Sequence, residues 1–159
     1  MQTRKPWLNE PDHLEFRYKG YPCIIHRVKT HGALCGYVGI QKKHPHFGKD
    51  KDEIDVSVHG GLTYSASCDG SICHTPAKGE SDEVWWIGFD CVHWLDIAPD
   101  MEKFMQEAEK HRPDIAEAAK MEEKMQNFVF PKIKRTYKTV AFVKNEIRNL
   151  VKQLERCAG

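Results

Sequence analysis

The C-terminal segment constrains the fold most, because it carries the clearest helical periodicity in the chain. Thr139 is a suitable N-cap for a helix that starts at the next residue. Apolar residues then recur every three or four positions, at Val140, Val143, Ile147, Leu150, Val151 and Leu154. A helix with one apolar stripe must bury that stripe against another layer of structure. The sequence therefore predicts a C-terminal helix that packs on one face of a sheet.

The segment 13–92 shows the short alternating runs and glycine-containing turns of that sheet. Leu14, Phe16 and Tyr18 alternate with polar residues, and Lys19-Gly20 supplies a tight turn into the next strand. Further strands are predicted at 34–40, 54–59, 62–67, 71–74 and 84–92. We therefore predict an α+β fold with an antiparallel or mixed sheet of about five or six strands.

The chain length and a second helical region predict one domain, 1–159, with an insertion. The 159 residues suit a single domain of ordinary size. Two charge-rich helical segments at about 100–127 separate the last strand from the final helix, with Asp100 as the expected N-cap and Pro113 starting the second segment. Because this pair is too short to build its own core, we interpret it as an inserted helical pair.

Charge and hydropathy exclude several classes of protein. The formal net charge is +1, so the chain lacks the positive field of a nucleic-acid-binding protein, and the basic stretch 132–156 is interpreted as the solvated face of the final helix. No run reaches the roughly 18 apolar residues of a membrane span, and the basic N-terminal segment lacks the apolar stretch of a signal peptide. We expect a cytosolic protein without a membrane partner.

The six cysteines lack the paired spacing of a typical zinc site or redox motif. They stand at Cys23, Cys35, Cys68, Cys73, Cys91 and Cys157. Since no export signal accompanies them, we predict free thiols in a reducing compartment. Cys35 would be a nucleophile if His59 served as its base, but a buried strand cysteine is the preferred interpretation.

The strand at 84–92 suggests a binding surface on one of its faces. Side chains alternate along a strand, so Trp85, Ile87, Phe89, Cys91 and His93 share one face, which we interpret as core. The other face carries Trp86, Gly88 and Asp90. This combination predicts a floor on which a flat ligand stacks, although the edge of a sheet, where Trp86 covers a loop, is an equally open interpretation.

A second candidate site lies at 54–61. His59 and Asp55 are predicted on the same polar face, so that the carboxylate would orient the imidazole. Gly60 and Gly61 follow and would bring backbone N–H groups close to an anion. The functional interpretation is a histidine general base beside an anion-binding turn; a surface histidine before a Gly-Gly turn is the alternative.

Metal binding is a third hypothesis. Cys91 and His93 would project the same way from a strand, and His59, Cys73 or His74 would complete a zinc site. Only one short-spaced pair of ligands is evident there, so zinc remains an alternative to a metal-free site. His44 and His46 form another close pair, but the flanking lysines disfavour a cation.

Several strings resemble a family of small proteins encoded by bacteriophages and prophages. They are VHGGLTYS at 58–65, ICHTP at 72–76 and WWIGFDCVH at 85–93, with Asp96 just after. CGYVGI at 35–40, HPHFGKD at 44–50 and the final helix fit the same pattern. The resemblance implies a phage-encoded accessory role in the host cytosol and implies no mechanism.

Three hypotheses for function follow. The first is an accessory protein that binds a small anionic ligand, such as a nucleotide, in a pocket lined by Asp55, His59, Gly60, Gly61, His74, Trp86, Asp90 and His93, joined by His44 and Cys73. The second is a small hydrolase with His59 as general base, assisted by Asp90 or a metal ion. The third is a protein-interaction module that acts on a host factor through the helices at 100–127.

Overall fold

The computed structural model describes residues 4–68 and 72–159. Five strands form one antiparallel sheet in the order β1-β2-β3-β5-β4. The strands are β1 His13–Tyr18, β2 Tyr21–Arg27, β3 Leu34–Gln41, β4 Tyr64–Ser67 and β5 Val84–Asp90. The helices are α1 Met101–His111, α2 Pro113–Val129 and α3 Val140–Ala158, with short 3-10 turns at Pro6–Leu8 and Lys51–Glu53. The predicted α+β fold with a C-terminal helix is confirmed.

The β1–β2 hairpin forms as predicted because both turn residues adopt the left-handed backbone that a tight turn requires. Lys19 has φ 51° and Gly20 has φ 82°, and Tyr18 pairs with Tyr21 across the turn. Positive φ at both central positions gives a turn whose twist matches that of two antiparallel strands. The turn chemistry of this pair therefore sets the register of the first two strands.

The helix α3 covers one face of the sheet with the cap and the apolar stripe that the sequence predicts. The Thr139 hydroxyl accepts a hydrogen bond from the Phe142 amide at 3.2 Å. Five residues of the stripe are fully buried: Val143, Ile147, Leu150, Val151 and Leu154. They pack with the inward side chains of β2, β3 and β5 in the larger hydrophobic cluster, which we call the main core.

A second, smaller cluster covers the opposite face of the sheet and contains Trp86. This side chain is 0% exposed and packs with Ile24, Tyr37 and Ile72. Ile72 belongs to the connection between β4 and β5, which lies over this face and reaches an ion pair between Glu80 and Arg17 of β1. The prediction that Trp86 forms a floor for ligand stacking is wrong, because this connection closes the face on which Trp86 lies.

The segment 54–59 alternates as predicted but does not join the sheet. Its backbone runs beside α3, where the Ser57 amide donates to Gln153 Oε1 at 2.7 Å and Gln153 Nε2 donates to the Ser57 carbonyl at 2.8 Å. The His59 amide donates to Glu146 Oε2 at 2.9 Å. Helix side chains thus satisfy backbone groups that a neighbouring strand would otherwise pair. Alternation indicated extended chain here, and the strand prediction is wrong.

The other strand predictions differ in their outcomes. The predicted ranges 34–40, 62–67 and 84–92 correspond to β3, β4 and β5 with shifts of about one or two residues at their ends. Within the predicted strand 71–74, residue 71 lies outside the described residues, and 72–74 is not a strand.

The helices α1 and α2 occur where the sequence predicts a helical pair, and Pro113 begins α2. The side chain of Asp100 does not cap α1; its carbonyl accepts the Phe104 amide at 2.9 Å instead. The pair buries Ala116 and leaves several large apolar side chains exposed. Among the described residues, no helix combines the length and the hydropathy needed to cross a membrane.

The cysteines are not all free thiols. Cys68 and Cys73 form a disulfide, which contradicts the prediction for this pair. The Cα atoms of the two residues lie 4.7 Å apart. The other four cysteines are free, as predicted: Cys23, Cys35 and Cys91 are buried, and Cys157 is exposed.

Candidate functional site

Two loops meet beside the first turn of α3 and bring two histidines to one carboxylate. His59 lies at the end of the segment 54–59, which runs beside α3, and His93 and Asp96 belong to a turn just after β5. The Asp96 amide donates to the His93 carbonyl at 2.8 Å, and the His93 amide donates to Asp96 Oδ2 at 3.0 Å. His59 Nε2 lies 2.8 and 3.0 Å from the two carboxylate oxygens. We call His59, Asp90, His93 and Asp96 the histidine–aspartate cluster.

The Asp96 carboxylate is the centre of this cluster. Its side chain is 0% exposed, and it accepts hydrogen bonds from His59 Nε2, from Lys138 Nζ at 2.9 Å and from the His93 amide. Burial by itself raises the pKa of a carboxyl group, but the donors outweigh it here, so that the pKa of Asp96 lies below its ordinary value. Asp96 is therefore ionised at neutral pH and places a fixed negative charge beside His59.

His59 is held in one orientation by groups on every side. An ionised carboxylate has only acceptors, so Nε2 carries the proton of the bond to Asp96. In the neutral ring, Nδ1 then carries the lone pair, and it makes no hydrogen bond within the described part of the chain. The ring packs edge-on against Phe142, with centroids 5.2 Å apart, and 20% of the side chain is exposed. This is the arrangement of a general base oriented by a carboxylate.

Gly60 and Gly61 have different roles. Both have left-handed backbones, with φ 69° and 82°. A Cβ atom on Gly60 would lie 1.8 Å from His93 Nε2, whereas one on Gly61 would meet open space. The Gly61 amide donates to the Val58 carbonyl at 2.9 Å. Gly60 thus makes room for the His93 ring. The Gly61 N–H group is not available to an anion in the predicted turn, because it already donates to the Val58 carbonyl.

His93 and Asp90 lie close together without completing a hydrogen bond. His93 Nε2 is 3.3 Å from Asp90 Oδ1, but the geometry is unfavourable, and the buried Nε2 atom has no hydrogen-bond partner among the described residues. Asp90 accepts from the Val92 amide at 3.3 Å. Buried polar atoms are rarely left unpaired, so Nε2 of His93 is the position in the cluster where a ligand would gain most.

The cluster also has the donor set of a metal site. One donor atom from each of His59, His93 and Asp96 lies within 4.8 Å of the others, a separation that one divalent ion can bridge, and imidazole with carboxylate is a common set for zinc. Cys91, predicted as a ligand with these histidines, is 2% exposed in the main core. That prediction is wrong, because β5 ends at Asp90 and the chain turns before His93.

The other predicted site residues lie elsewhere. Asp55 is exposed, and the carboxylate that orients His59 is Asp96, 37 positions along the chain. His74 lies on the opposite face of the sheet beside Trp86, with ring centroids 5.3 Å apart. His44 binds the Leu154 carbonyl at 3.0 Å near the end of α3. The structure thus brings together His59, Gly60, Asp90 and His93, and separates them from Asp55, Trp86, His74, Cys73 and His44.

Three residues of the site escaped the site prediction. Asp96 had a signal only in the string that follows WWIGFDCVH, and Lys138 and Glu146 had none. Lys138 precedes α3 and Glu146 lies in it, so their link to the cluster depends on where α3 docks. The alternative nucleophile, Cys35, is disfavoured, because burial raises the pKa of its thiol to about 11.

A cleft of about 840 Å³ leads from the cluster along α1 and α2. His93 and Asp96 are among the residues that line it. Its charged wall residues are Glu102, Glu109, Lys120, Glu122, Glu123 and Arg135. Lys120 pairs with Glu109 at 2.8 Å and Arg135 with Glu123 at 3.0 Å. The volume is that of a small-molecule site, and the excess of carboxylates favours a neutral or cationic ligand.

No model of a known protein family matches the chain, and no curated protein or solved structure matches it. The chemistry of the histidine–aspartate cluster is therefore the basis for a functional interpretation.

Proposed function

We propose that this protein is a small hydrolase in which His59 is the general base and Asp96 orients it. The observation that carries the proposal is the contact of His59 Nε2 with both oxygens of a buried, ionised carboxylate. This contact holds the proton on Nε2 and leaves Nδ1 as the acceptor. Nδ1 takes a proton from a water molecule as that water attacks an ester.

His93 is the second group of this mechanism. Its ring centroid lies 5.2 Å from that of His59, and its Nε2 atom is beside the Asp90 carboxylate. In the proposed reaction, the water oxygen bonds to the electrophilic centre while His59 accepts a proton from that water. The bond between this centre and the leaving oxygen then breaks, and His93 donates a proton to the leaving oxygen. The acidic cleft favours esters whose remaining groups are neutral or cationic.

The hydrolase hypothesis is favoured over binding of a nucleotide-like anion. Anion binding relied on Trp86 for stacking and on Gly60-Gly61 for backbone donors. Trp86 is fully buried, and the Gly61 amide is engaged by Val58. By contrast, the hydrolase uses groups that lie together, His59 and Asp90 among them.

Activity measurements with a matched pair of histidine variants test the proposal. Purified protein would be assayed against a panel of nitrophenyl esters and phosphodiesters. We expect turnover in the wild type and a loss of about 10²-fold or more in His59→Ala, since general-base groups contribute about that much. His13→Ala, which removes an exposed histidine of β1, should leave turnover unchanged. No turnover across the panel, or undiminished turnover in His59→Ala, would reject the proposal.

A metal-assisted form of the same hydrolase is favoured by the unpaired Nε2 atom of His93. Here His59, His93 and Asp96 would hold a divalent ion that activates water. Metal analysis of the purified protein separates the two forms. One equivalent of metal that is lost in His93→Ala and kept in Cys91→Ser supports the metal; activity that survives a chelator in metal-free protein supports the metal-free base.

The exposed helical pair favours a second candidate function, that of a protein-interaction module. Met121 is 70% exposed and Phe128 is 86% exposed on α2, and large exposed apolar side chains mark interaction surfaces. In this candidate function the partner is a host protein. Affinity capture with wild type and with a Met121→Ser, Phe128→Ser double variant tests this candidate, which predicts that the same proteins are retained only by the wild type. Identical capture by both would reject it.

The phage origin and the host-cytosol location that the resemblance implies remain predictions. They are compatible with either candidate, since an accessory protein acts through catalysis or through capture of a partner. Expression from an induced prophage, followed by fractionation of the host cell, tests both. Recovery of the chain outside the cytosolic fraction would contradict the location.

A further inference from the structure

The connection between β4 and β5 holds a second group of chemically reactive side chains, distant from the proposed hydrolase site. Cys68 directly follows β4, and Cys73 and His74 follow Ile72 in the same connection. One donor atom from each lies within 4.8 Å of the others. Two sulfurs and an imidazole at this separation match the ligand types of a zinc site.

His74 is the observation that points to a ligand. Its side chain is 4% exposed, and both ring nitrogens are buried without a hydrogen-bond partner in the described residues. A buried polar group that is left unpaired destabilises the fold. Neutral imidazole nitrogen is a strong zinc ligand, so one metal bond would satisfy the nitrogen that faces the sulfurs.

The surroundings supply outer contacts that metal sites use. Trp86 Nε1 donates to Cys68 Sγ at 3.2 Å, and an N–H group directed at sulfur stabilises a thiolate. Glu80 Oε2 lies 3.6 Å from His74 Nε2, so a carboxylate is beside the ring. Ligating histidines commonly have such a carboxylate near their second nitrogen, where it orients the ring. Cys73 is exposed, which leaves a route for the ion.

We propose that, when Cys68 and Cys73 are reduced, these two thiolates and His74 bind one Zn²⁺ ion, with water in the fourth position. Binding releases the two thiol protons and forms two zinc–sulfur bonds and one zinc–nitrogen bond, so no electrons are transferred. The disulfide and the zinc complex are alternative states of the same sulfur pair, and a thiol or phosphine reductant supplies the two electrons that convert the disulfide into the two thiols before zinc binds.

Metal titration of the reduced full chain tests this proposal. The protein would be reduced with a phosphine, freed of metal, and titrated with Zn²⁺ alone and with Co²⁺ as a spectroscopic probe. We expect one equivalent of tightly bound zinc by native mass spectrometry, and thiolate-to-cobalt charge-transfer absorption. His74→Leu, which keeps both thiols, should weaken zinc binding by at least about tenfold, and Cys73→Ser should abolish the charge-transfer band.

Two control variants distinguish this site from other metal binding. Cys157→Ser removes the exposed free thiol and should change nothing. His59→Ala should leave the charge-transfer band intact, because the histidine–aspartate cluster has no thiolate. The proposal is overturned if the reduced protein binds no zinc, if the band survives in Cys73→Ser, or if His74→Leu binds zinc as tightly as the wild type.

Discussion

The histidine–aspartate cluster and the group formed by Cys68, Cys73 and His74 lie on opposite faces of one sheet and differ in how their polar atoms are satisfied. Asp96 is fully buried and receives hydrogen bonds from His59, Lys138 and a backbone amide. His74 is almost as buried, yet both its ring nitrogens lack a hydrogen bond in the described chain. Asp96 is thus part of a network that folding completes, whereas His74 belongs to one that a ligand would complete. The following predictions test that difference.

The largest effect is expected when Asp96 is removed. In Asp96→Ala, the Lys138 ammonium and the His59 ring lose their shared acceptor while they remain mostly buried. Breaking a buried charge pair in this way costs about 3–5 kcal/mol. Urea unfolding measures the change, with Asp90→Ala, which removes a carboxylate that is 30% exposed, as the control at about 1 kcal/mol or less. Equal losses in the free energy of unfolding for the two variants would mean that the hydrogen bonds around Asp96 contribute no more than those of Asp90.

The next effect compares the two adjacent glycines. Alanine at either position adopts a left-handed backbone at a cost of about 1–2 kcal/mol, but only Gly60→Ala also places a methyl group against His93. We expect Gly60→Ala to lose about 1–3 kcal/mol more than Gly61→Ala, as overpacked sites do, and to shift the NMR resonances of the His93 ring. Indistinguishable variants would show that the cluster tolerates a displaced His93.

Acid titration should affect the two faces unequally. Because the folded pKa of Asp96 is depressed, its stabilisation is complete above its unfolded pKa of about 3.9 and is lost as pH falls through the lower folded value. The stability difference between wild type and Asp96→Asn should therefore shrink below about pH 4. The stabilisation from Glu80 is also lost as pH falls, since the hydrogen bond from Arg17 lowers the pKa of Glu80 to about 2. Glu80→Gln should change the curve less, because Arg17 is 42% exposed.

The smallest effect is expected at His74 in the metal-free protein. Leucine is similar in size, and it removes two buried polar atoms that lack partners. Replacing unsatisfied polar groups by apolar ones is close to neutral or stabilising, so His74→Leu should change the free energy of unfolding by about 1 kcal/mol or less. Differential scanning fluorimetry without added metal checks this. A loss as large as that of Asp96→Ala would indicate a hidden partner for His74.

Local sequence patterns predicted much of the fold. The Thr139 cap and the stripe of α3, the Lys19-Gly20 turn and the Pro113 start of α2 all depend on spacings of a few residues. One exception is the segment 54–59, whose alternation is real but whose hydrogen bonds go to side chains of α3. Alternation of apolar and polar residues indicates an extended backbone, but it does not indicate which element that backbone pairs with.

The site was predicted only in part, because the partners and the exposure of its residues depend on distant parts of the chain. His59, Gly60, Asp90 and His93 were recognised as reactive or permissive residues, and they do lie together. Their partner Asp96 was not predicted as a site residue. Trp86 was assigned to the wrong environment, since its exposure depends on whether a distant connection lies over that face of the sheet.

By itself, the sequence determined the strands and helices that repeat with a short period, and it determined which side chains carry acid, base or thiol chemistry. Only the tertiary structure decided that Asp96 orients His59, that Lys138 neutralises the buried carboxylate, and that the two faces of β5 are both covered. The physical reason is the sequence separation over which each interaction acts. Backbone periodicity arises between residues a few positions apart, whereas burial and charge pairing depend on where separate loops meet after the sheet and α3 have packed.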